Sequence, residues 1–409
     1  MNKGWQIVAL EDVCEFVDRR GITPEKLGSS FLSDGYRVIS AKNIKARQID
    51  TSIGEQRFVD EPTYRRWMRS PLLVDDVILT SEAPLGEPAY VDEELAWCLG
   101  QRLFGIRTAK SKLHGRFLFY ALQASPVRDD MLSRATGATA QGIRQAELKK
   151  VQLPLPPLVE QRRIVGILDE AFDGLAGAIA NAEQNLRNDR ALFESHLQSV
   201  FTQRGKGWVE KRLEEVLTVQ PQNGWSPPAA NHADSGTPVL TLSSVTGFVF
   251  RPGKIKFTSA VTDPRARYWV QNGDFLITRS NTPELVGHVA IASGIEEPTI
   301  YPDLIMRMNP DPAKALTEFL YYLLRTPALR EEISGRAQGT NPTMKKISNG
   351  AVRTLPICVP PIPEQRRVVA QINALAAETQ RLESLYQQKL TALNELKKSL
   401  LHEAFSGRL

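Results

Sequence analysis

Residues 156–165 read PPLVEQRRIV, and residues 360–369 read PPIPEQRRVV. A ten-residue phrase repeated at an offset of 204 constrains the fold more than any composition value, because a true duplication must recur elsewhere at nearly the same offset. It does. KGWQIVALEDV (3–13) returns as KGWVEKRLEEV (206–216), FLFY (117–120) as FLYY (319–322), ATG (135–137) as AQG (337–339), and VFTQR (200–204) as AFSGR (404–408). The chain is therefore two copies of one unit, divergent between these landmarks.

Each copy has two parts. The first is mixed: YRVIS (36–40), VILTS (77–81), TPVLTL (237–242) and DFLITRS (274–280) read as short strands broken by Gly, Pro and Asn. FLFYAL (117–122) and FLYYLL (319–324) read as buried helix starts. The second part is a long proline-free stretch, 160–201 and 364–405. In the latter, Ile372, Leu375, Thr379, Leu382, Tyr386, Lys389, Leu393, Leu396 and Leu400 alternate steps of three and four, a heptad seam. In the former, Phe172, Ile179, Leu186, Phe193 and Val200 recur every seven, with Leu168, Leu175 and Ala182 as companion row, interrupted by Asp189 and His196. Pro-Pro blocks extension backwards, and Glu160 and Glu364 suit a positive helix start.

The expected fold class is α+β: two globular mixed α/β heads joined by two long antiparallel coiled-coil helices, pseudo-twofold from the tandem repeat. The expected boundaries are 1–155 (first head), 156–205 (first helix), 206–355 (second head) and 356–409 (second helix). On a pseudo-twofold the heads sit at opposite ends of a rod, and the AFSGR landmark lies beside the KGW of the first head as VFTQR lies beside that of the second.

Chemistry-bearing motifs are missing. His402-Glu403 lacks the second histidine of a zinc protease; GFVFRPGK (247–254) has the wrong spacing for a phosphate loop, with Ile255 where Ser or Thr is needed. Asn341-Pro342-Thr343 and Asn309-Pro310-Asp311 lack the aromatic of an amino-methyltransferase signature, and Glu147-Leu148-Lys149 has no upstream Pro-Asp of a nuclease. Cys14, Cys98 and Cys358 are scattered and odd in number, so neither a disulfide framework nor a zinc site follows. No run approaches a membrane span and no apolar leader opens the chain, so the expected compartment is the cytoplasm. Together these point to a binding protein with no catalytic residue, no metal and no cofactor of its own.

The charge is mildly basic, +5 with an isoelectric point near 9.0, and the excess falls in 1–155 and 206–355. Ordinary solvated charge explains such a value equally well. Local clusters are more specific. YRRWMR (64–69) carries Arg65, Arg66 and Arg69; RPGKIKF (251–257) carries Lys254 and Lys256; RARYW (265–269) carries Arg265 and Arg267; Arg279 ends a strand. Better candidates are TGATAQGIRQ (136–145), with Thr139, Gln141 and Arg144, and QGTNPTMKK (338–346), with Asn341, Thr343 and Lys345. Both occupy the same place in the repeat but differ in residues, as two readers of different DNA sequences would. Glycine permits close approach, and the polar groups match base edges and phosphates.

The paired PP(L/I)xEQRR helix starts, the tandem copies, the divergent heads and the heptad helices resemble the specificity subunits of type I restriction–modification systems. The resemblance implies that each head reads one half of a split, asymmetric site on double-stranded DNA. It implies helices that set the spacer and dock two methyltransferase subunits, which bind S-adenosylmethionine and methylate adenine. Motor–nuclease subunits using ATP and Mg join for restriction. The docking and coiled-coil set expected here is Glu160, Gln161, Arg162, Phe172, Ile179 and Leu186 with Glu364, Gln365, Arg366, Leu375, Leu382 and Leu393. The family's Leu-x-x-Gly-Asp phrase keeps Gly273-Asp274 in copy two but reads Asp75-Asp76 in copy one, and Pro363 stands where copy one has Val159. The competing reading is a two-headed DNA-binding regulator or architectural protein without a methyltransferase partner; a third is an undetected nuclease or transferase.

Overall fold

Pro156-Pro157 and Pro360-Pro361 stand directly before the two longest elements, helices Leu158–Thr202 and Ile362–Phe405, of 45 and 44 residues. In both, the glutamate of the repeated phrase donates its amide to the second proline's carbonyl, at 2.9 Å, and its carboxylate pairs with the arginine three residues on (Glu160–Arg163 2.7 Å, Glu364–Arg367 2.5 Å). This computed structural model describes residues 4–137, 141–341 and 344–409. The chain divides into one unit of residues 1–183 with 387–409 and another of residues 184–386.

In the first unit, the antiparallel sheet runs Cys14–Asp18, Leu103–Thr108, Val77–Thr80, Pro88–Tyr90. In the second, the order is the same: Leu217–Asn223, Ile305–Pro310, Phe275–Thr278, Val289–Ile291. The central strands are apolar on both faces because helices and a second small sheet cover them. Each unit also pairs the strand after its KGW with the strand before its Pro-Pro: Gln6–Ala9 with Gln152–Leu155, and Val209–Arg212 with Pro356–Val359. The small sheet has three strands around Tyr36–Ile39 in the first unit and five around Thr237–Leu240 in the second.

A buried carboxylate locks each main sheet. Asp76 accepts from the Arg107 guanidinium (2.8 and 3.0 Å) and the Leu73 amide. Asp274 accepts from Asn309, at the matching strand position, from Arg307, and from the Gln271 amide. The turn before each requires a left-handed residue. Gly273 supplies it at φ +96°, and Asp75 adopts the same state at φ +78°, held by Tyr90 and Lys110. The Asp-for-Gly departure in copy one is thus accommodated without changing the turn.

The cores explain the landmark repeats. Phe405, Ala404 and Leu401, from the end of the second long helix, enter the first head's core, with Phe405 5.0 Å from Phe117 between ring centres. Phe201, Leu197 and Phe193, from the end of the first long helix, enter the second head's core, with Phe201 5.4 Å from Phe319. Within the first unit the two helix segments run antiparallel: Arg163 donates to the Leu409 carbonyl, and Lys397 lies over Phe172. In the second unit Arg190 pairs with Glu383 at 2.6 Å.

The seam of the second helix departs from the expected heptad. Ile372, Leu375, Thr379, Leu382 and Tyr386 lie inward, but the stripe then steps to Leu390, Leu393, Lys397, Leu400, Leu401 and Ala404. Lys389 and Leu396 face solvent, Leu396 being 48% exposed. A strict seven-residue repeat drifts against a 3.6-residue helix unless the pair supercoils throughout, and here the burial stripe slips by one residue instead. In the first helix, Asp189 sits half-buried in the stripe and His196 is exposed, as the interrupted row predicts.

Candidate nucleic-acid interface

The described residues that flank the two Gly/Thr/Gln/Asn-rich segments close against their sheets in equivalent ways. In the first head Thr136 and Gly142 exchange backbone hydrogen bonds at 2.9 Å, and the Ile143 amide donates to the Ser81 carbonyl just beyond the strand Val77–Thr80. In the second, Gln338 and Lys346 exchange bonds at 2.8 Å, and the Ile347 amide donates to the Arg279 carbonyl just beyond Phe275–Thr278. Glu82 then bridges to Gly142, and Ser280-Asn281 pairs with Lys345-Lys346. In both heads the described flank of the segment is thus pinned to the end of a central strand. Gly339, at φ +150°, lies where a Cβ would meet the Met344 carbonyl at 2.8 Å, so glycine is needed for closure.

Gln141 and Arg144 are exposed on the first loop, Arg144 capping the short helix Gln145–Leu148. Thr139 and Thr343 lie outside the described residues. Asn341 is exposed, and Lys345 arches back to donate to the Gly339 carbonyl at 2.7 Å. Arg279 joins this group through its backbone; its side chain leans on the Asp303 carbonyl, and its Nε is enclosed with no hydrogen-bond partner among the described residues.

The arginine-aromatic clusters divide by residue type. Tyr64 stacks on Tyr36 at 4.4 Å, and Trp67 is buried with its Nε1 donating to the Leu99 carbonyl, so these rings build the core. Arg65, Arg66 and Arg69 are exposed, Arg65 pairing with Glu61 one turn back. In the second head, Tyr268 stacks on Trp225 at 5.2 Å and Trp269 donates to the Asp263 carbonyl, while Arg265 and Arg267 are exposed. Lys254 and Lys256 are exposed at and before the strand Ile255–Thr258. The rings anchor the loops and leave the cations to solvent.

Sequence reasoning missed the turn at Gly100–Arg102. The Ser81 amide donates to the Arg102 carbonyl at 2.8 Å, which sets this turn beside the Gly142 loop. Arg102 holds a left-handed backbone, φ +67°, and its guanidinium lies 3.3 Å from Glu82. Gln101 and Arg102 help line a cleft of about 440 Å³ with Lys42, Asn43 and Arg57. The only sequence signal was a Gly-Gln-Arg turn between two strand patterns. A non-glycine residue in this backbone state concentrates at functional loops.

Gln161 and Gln365 correct the expected docking set. Both are fully buried inside their own heads. Gln161 accepts from the His114 amide and donates to the Lys112 and Pro156 carbonyls; Gln365 accepts from the Leu316 amide and donates to those of Lys314 and Pro360. They fasten helix to head and present nothing outward. Arg162 and Arg366 are exposed, while Glu160 and Glu364 are held below the usual carboxylate range by hydrogen bonds from Arg163 and Arg367. Phe172, Ile179, Leu186, Leu375, Leu382 and Leu393 are half-buried along the helices.

No group of three or more His, Cys, Asp or Glu among the described residues is placed to hold a metal, and no described helix is long and apolar enough to cross a membrane. Burial pushes the Cys14 and Cys98 thiols up to about 12, away from nucleophile chemistry.

The model of the type I restriction modification DNA specificity domain matches this chain twice, over residues 2–185 and 205–392. The chain belongs to the type I restriction–modification DNA-specificity family. It is a non-catalytic specificity subunit. It is similar to the EcoKI specificity subunit of Escherichia coli K12, 26% identical across 100% of this chain and 90% of that one. The putative MjaX specificity subunit of Methanocaldococcus jannaschii is 24% identical over 99% of this chain and 93% of its own length. Among solved structures, a chain from work on complex assembly and conformational transition of the type I R-M system covers 100% of this chain, and 99% of itself is covered, at a TM-score of 0.76 and 21% identity. The HsdS subunit of Thermoanaerobacter tengcongensis covers 100%, with 98% of itself covered, at 0.58 and 21%. These likenesses establish the fold.

Proposed function

We propose that the two heads of this specificity subunit read the two halves of a bipartite, asymmetric site on double-stranded DNA, each through the loop pinned to its central strand. The observation that carries this is the pairing of one geometry with two chemistries: the loops at 136–145 and 338–346 attach to their sheets through matching backbone bonds yet share almost no side chains. In the first head Gln141 and Arg144, joined by Gln101 and Arg102, face base edges; arginine suits guanine and glutamine suits adenine. In the second head Asn341, Lys345 and Arg279 take that place. Arg65, Arg66, Arg69, Lys254, Lys256, Arg265 and Arg267 supply phosphate contacts, which position without specifying.

The head and helix boundaries at 155, 205 and 355 divide reading from spacing. The outer faces of the long helices, with Arg162 and Arg366 at their starts, dock two adenine-methyltransferase subunits in the cytoplasm. S-adenosylmethionine belongs to those subunits, and ATP and Mg to the motor–nuclease subunits that join for restriction.

Mapping methylated adenines in cells that carry the complex tests this. Arg144→Ala or Gln141→Ala should relax one end of the motif, and Asn341→Ala or Lys345→Met the other, each lost bidentate contact removing about 1–3 kcal/mol of discrimination. A motif unchanged by all four substitutions would place the reading elsewhere.

A further inference from the structure

One cavity of the first unit has a charge distribution that folding alone does not explain. It measures about 150 Å³ and is lined by Arg47, Gln123, Ser125, Asn394, Lys397 and Lys398. Its walls come from three elements. Arg47 sits at the tip of the hairpin Ile44–Lys45/Gln48–Ile49, on a left-handed backbone of φ +69°. Gln123 and Ser125 frame the start of the nine-residue helix Ser125–Ser133. Asn394, Lys397 and Lys398 lie on the last part of the second long helix.

The acids nearby do not balance these cations. Glu395 pairs with Lys398 at 2.8 Å, and Glu87 pairs with Arg128 at 3.0 Å. Glu87 acts on Arg47 as well as on Arg128, while Lys397 feels Arg47 and has no ion-pair partner among the described residues, so positive charge remains in excess. Burial, with Arg47 close by, holds the Lys397 ammonium below its ordinary value, and burial does the same to Arg47. The Lys397 ammonium lies over Phe172, its Nζ 4.8 Å from the ring centre, which fixes where the charge sits. Bringing two partly desolvated cations together costs the fold free energy, and such costs are retained where a ligand offsets them.

The remaining polar groups favour an oxyanion. The Ser125 hydroxyl can donate, and the Gln123 and Asn394 side-chain amides, which each give one N–H to the carbonyl four residues back, keep a second N–H to give. The helix that frames the cavity is tied to the segment beside the candidate reading loop. Arg128 donates to the Gly86 carbonyl and to Glu87, at one end of the segment 81–87 whose other end bridges to Gly142.

We propose that this pocket grips a backbone phosphate of the bound duplex, with Arg47 and Lys397 as its two cationic contacts. The site rests on the DNA-reading function argued above. It acts as a sequence-independent clamp where the first head meets the helix, distinct from the loops that touch bases.

The test uses the full chain in complex with its methyltransferase subunits, binding cognate and unrelated duplexes across a salt series. Arg47→Gln, Lys397→Met and the pair are compared with wild type; methionine keeps an unbranched side chain of similar length beside Phe172, and thermal melting confirms folding. The double variant should weaken both duplexes by the same factor, lower the slope of log affinity against log salt by about one, and leave the methylated motif unchanged. Affinity and slope equal to wild type, in a complex that still prefers its motif, overturn the site alone. A wild-type complex with no preference for its methylated motif overturns the reading function and the site with it. Inorganic phosphate that binds wild type but not the double variant, with the DNA slope unchanged, identifies a free-phosphate site and overturns the clamp. So does a loss confined to methyltransferase assembly, which identifies a protein carboxylate as the occupant.

Discussion

Gln161 and Gln365, 204 positions apart, make the same three hydrogen bonds to the same three places in their own heads. Each closes the turn before a buried helix onto the start of a long one. Replacing either by alanine leaves one amide and two carbonyls enclosed and unpaired. Each unpaired group costs about 1–3 kcal/mol where water cannot enter. Gln161→Ala and Gln365→Ala should each lower unfolding free energy by about 2–4 kcal/mol, read by denaturant titration. A cost under about 0.5 kcal/mol at either position would contradict this account.

The helix ends close the cores. Phe405 is 3% exposed and Phe201 8% exposed. Phe405→Ala should destabilise the first head and Phe201→Ala the second, each by about 3–5 kcal/mol. Hydrogen exchange should report loss of protection near Phe117 for one and near Phe319 for the other. Loss in the opposite head would refute the assignment.

His288 makes the second head acid-sensitive. Its ring stacks on Phe248, its Nδ1 accepts from the Gly247 amide, and Arg325 and Arg330 lie nearby. Burial first, then Arg330, pushes it from 6.5 down to about 4. A depressed histidine is neutral in the folded chain at pH values where the unfolded chain is protonated. Its contribution is therefore whole above about pH 6.5, falls as pH drops toward 4, and is lost below. The span corresponds to about 3 kcal/mol. Stability measured from pH 7 to pH 4 should fall less steeply in His288→Gln; identical slopes would show that another group carries the acid sensitivity.

The slipped seam reverses two leucines: the heptad pattern puts Leu396 on the seam and Leu401 off it, whereas the fold exposes Leu396 and buries Leu401. Leu396→Glu should change stability by less than about 0.5 kcal/mol. Leu401→Ala should cost about 2–5 kcal/mol, because Leu401 is 3% exposed in the first head's core. A larger thermal shift for Leu396→Glu than for Leu401→Ala would restore the strict heptad.

The duplication, the helix starts and the mixed heads were legible because repeated phrases and apolar periods are properties of sequence itself. The direction of a polar side chain is not. Gln161 lies beside Glu160 and Arg162 in a charged phrase, and only tertiary closure shows that it points inward. Likewise Lys397 reads as a solvent-facing charge until the hairpin at Arg47 covers it. Gln101 and Arg102 escaped notice because their place beside Glu82 and Gly142 is set by contacts across 20 to 40 residues, which no local pattern records.

The exchange of helix ends also orders synthesis. Phe193, Leu197 and Phe201 have left the ribosome before the second head begins at Trp208, and Val368 and Ile372 soon complete its core. The first head, although made first, waits for Leu401, Ala404 and Phe405. Of the two heads, it is the later to be finished. A nascent chain that stops at residue 399 still carries a complete second core but an open first one, so such a product announces itself by apolar surface exposed in its first head.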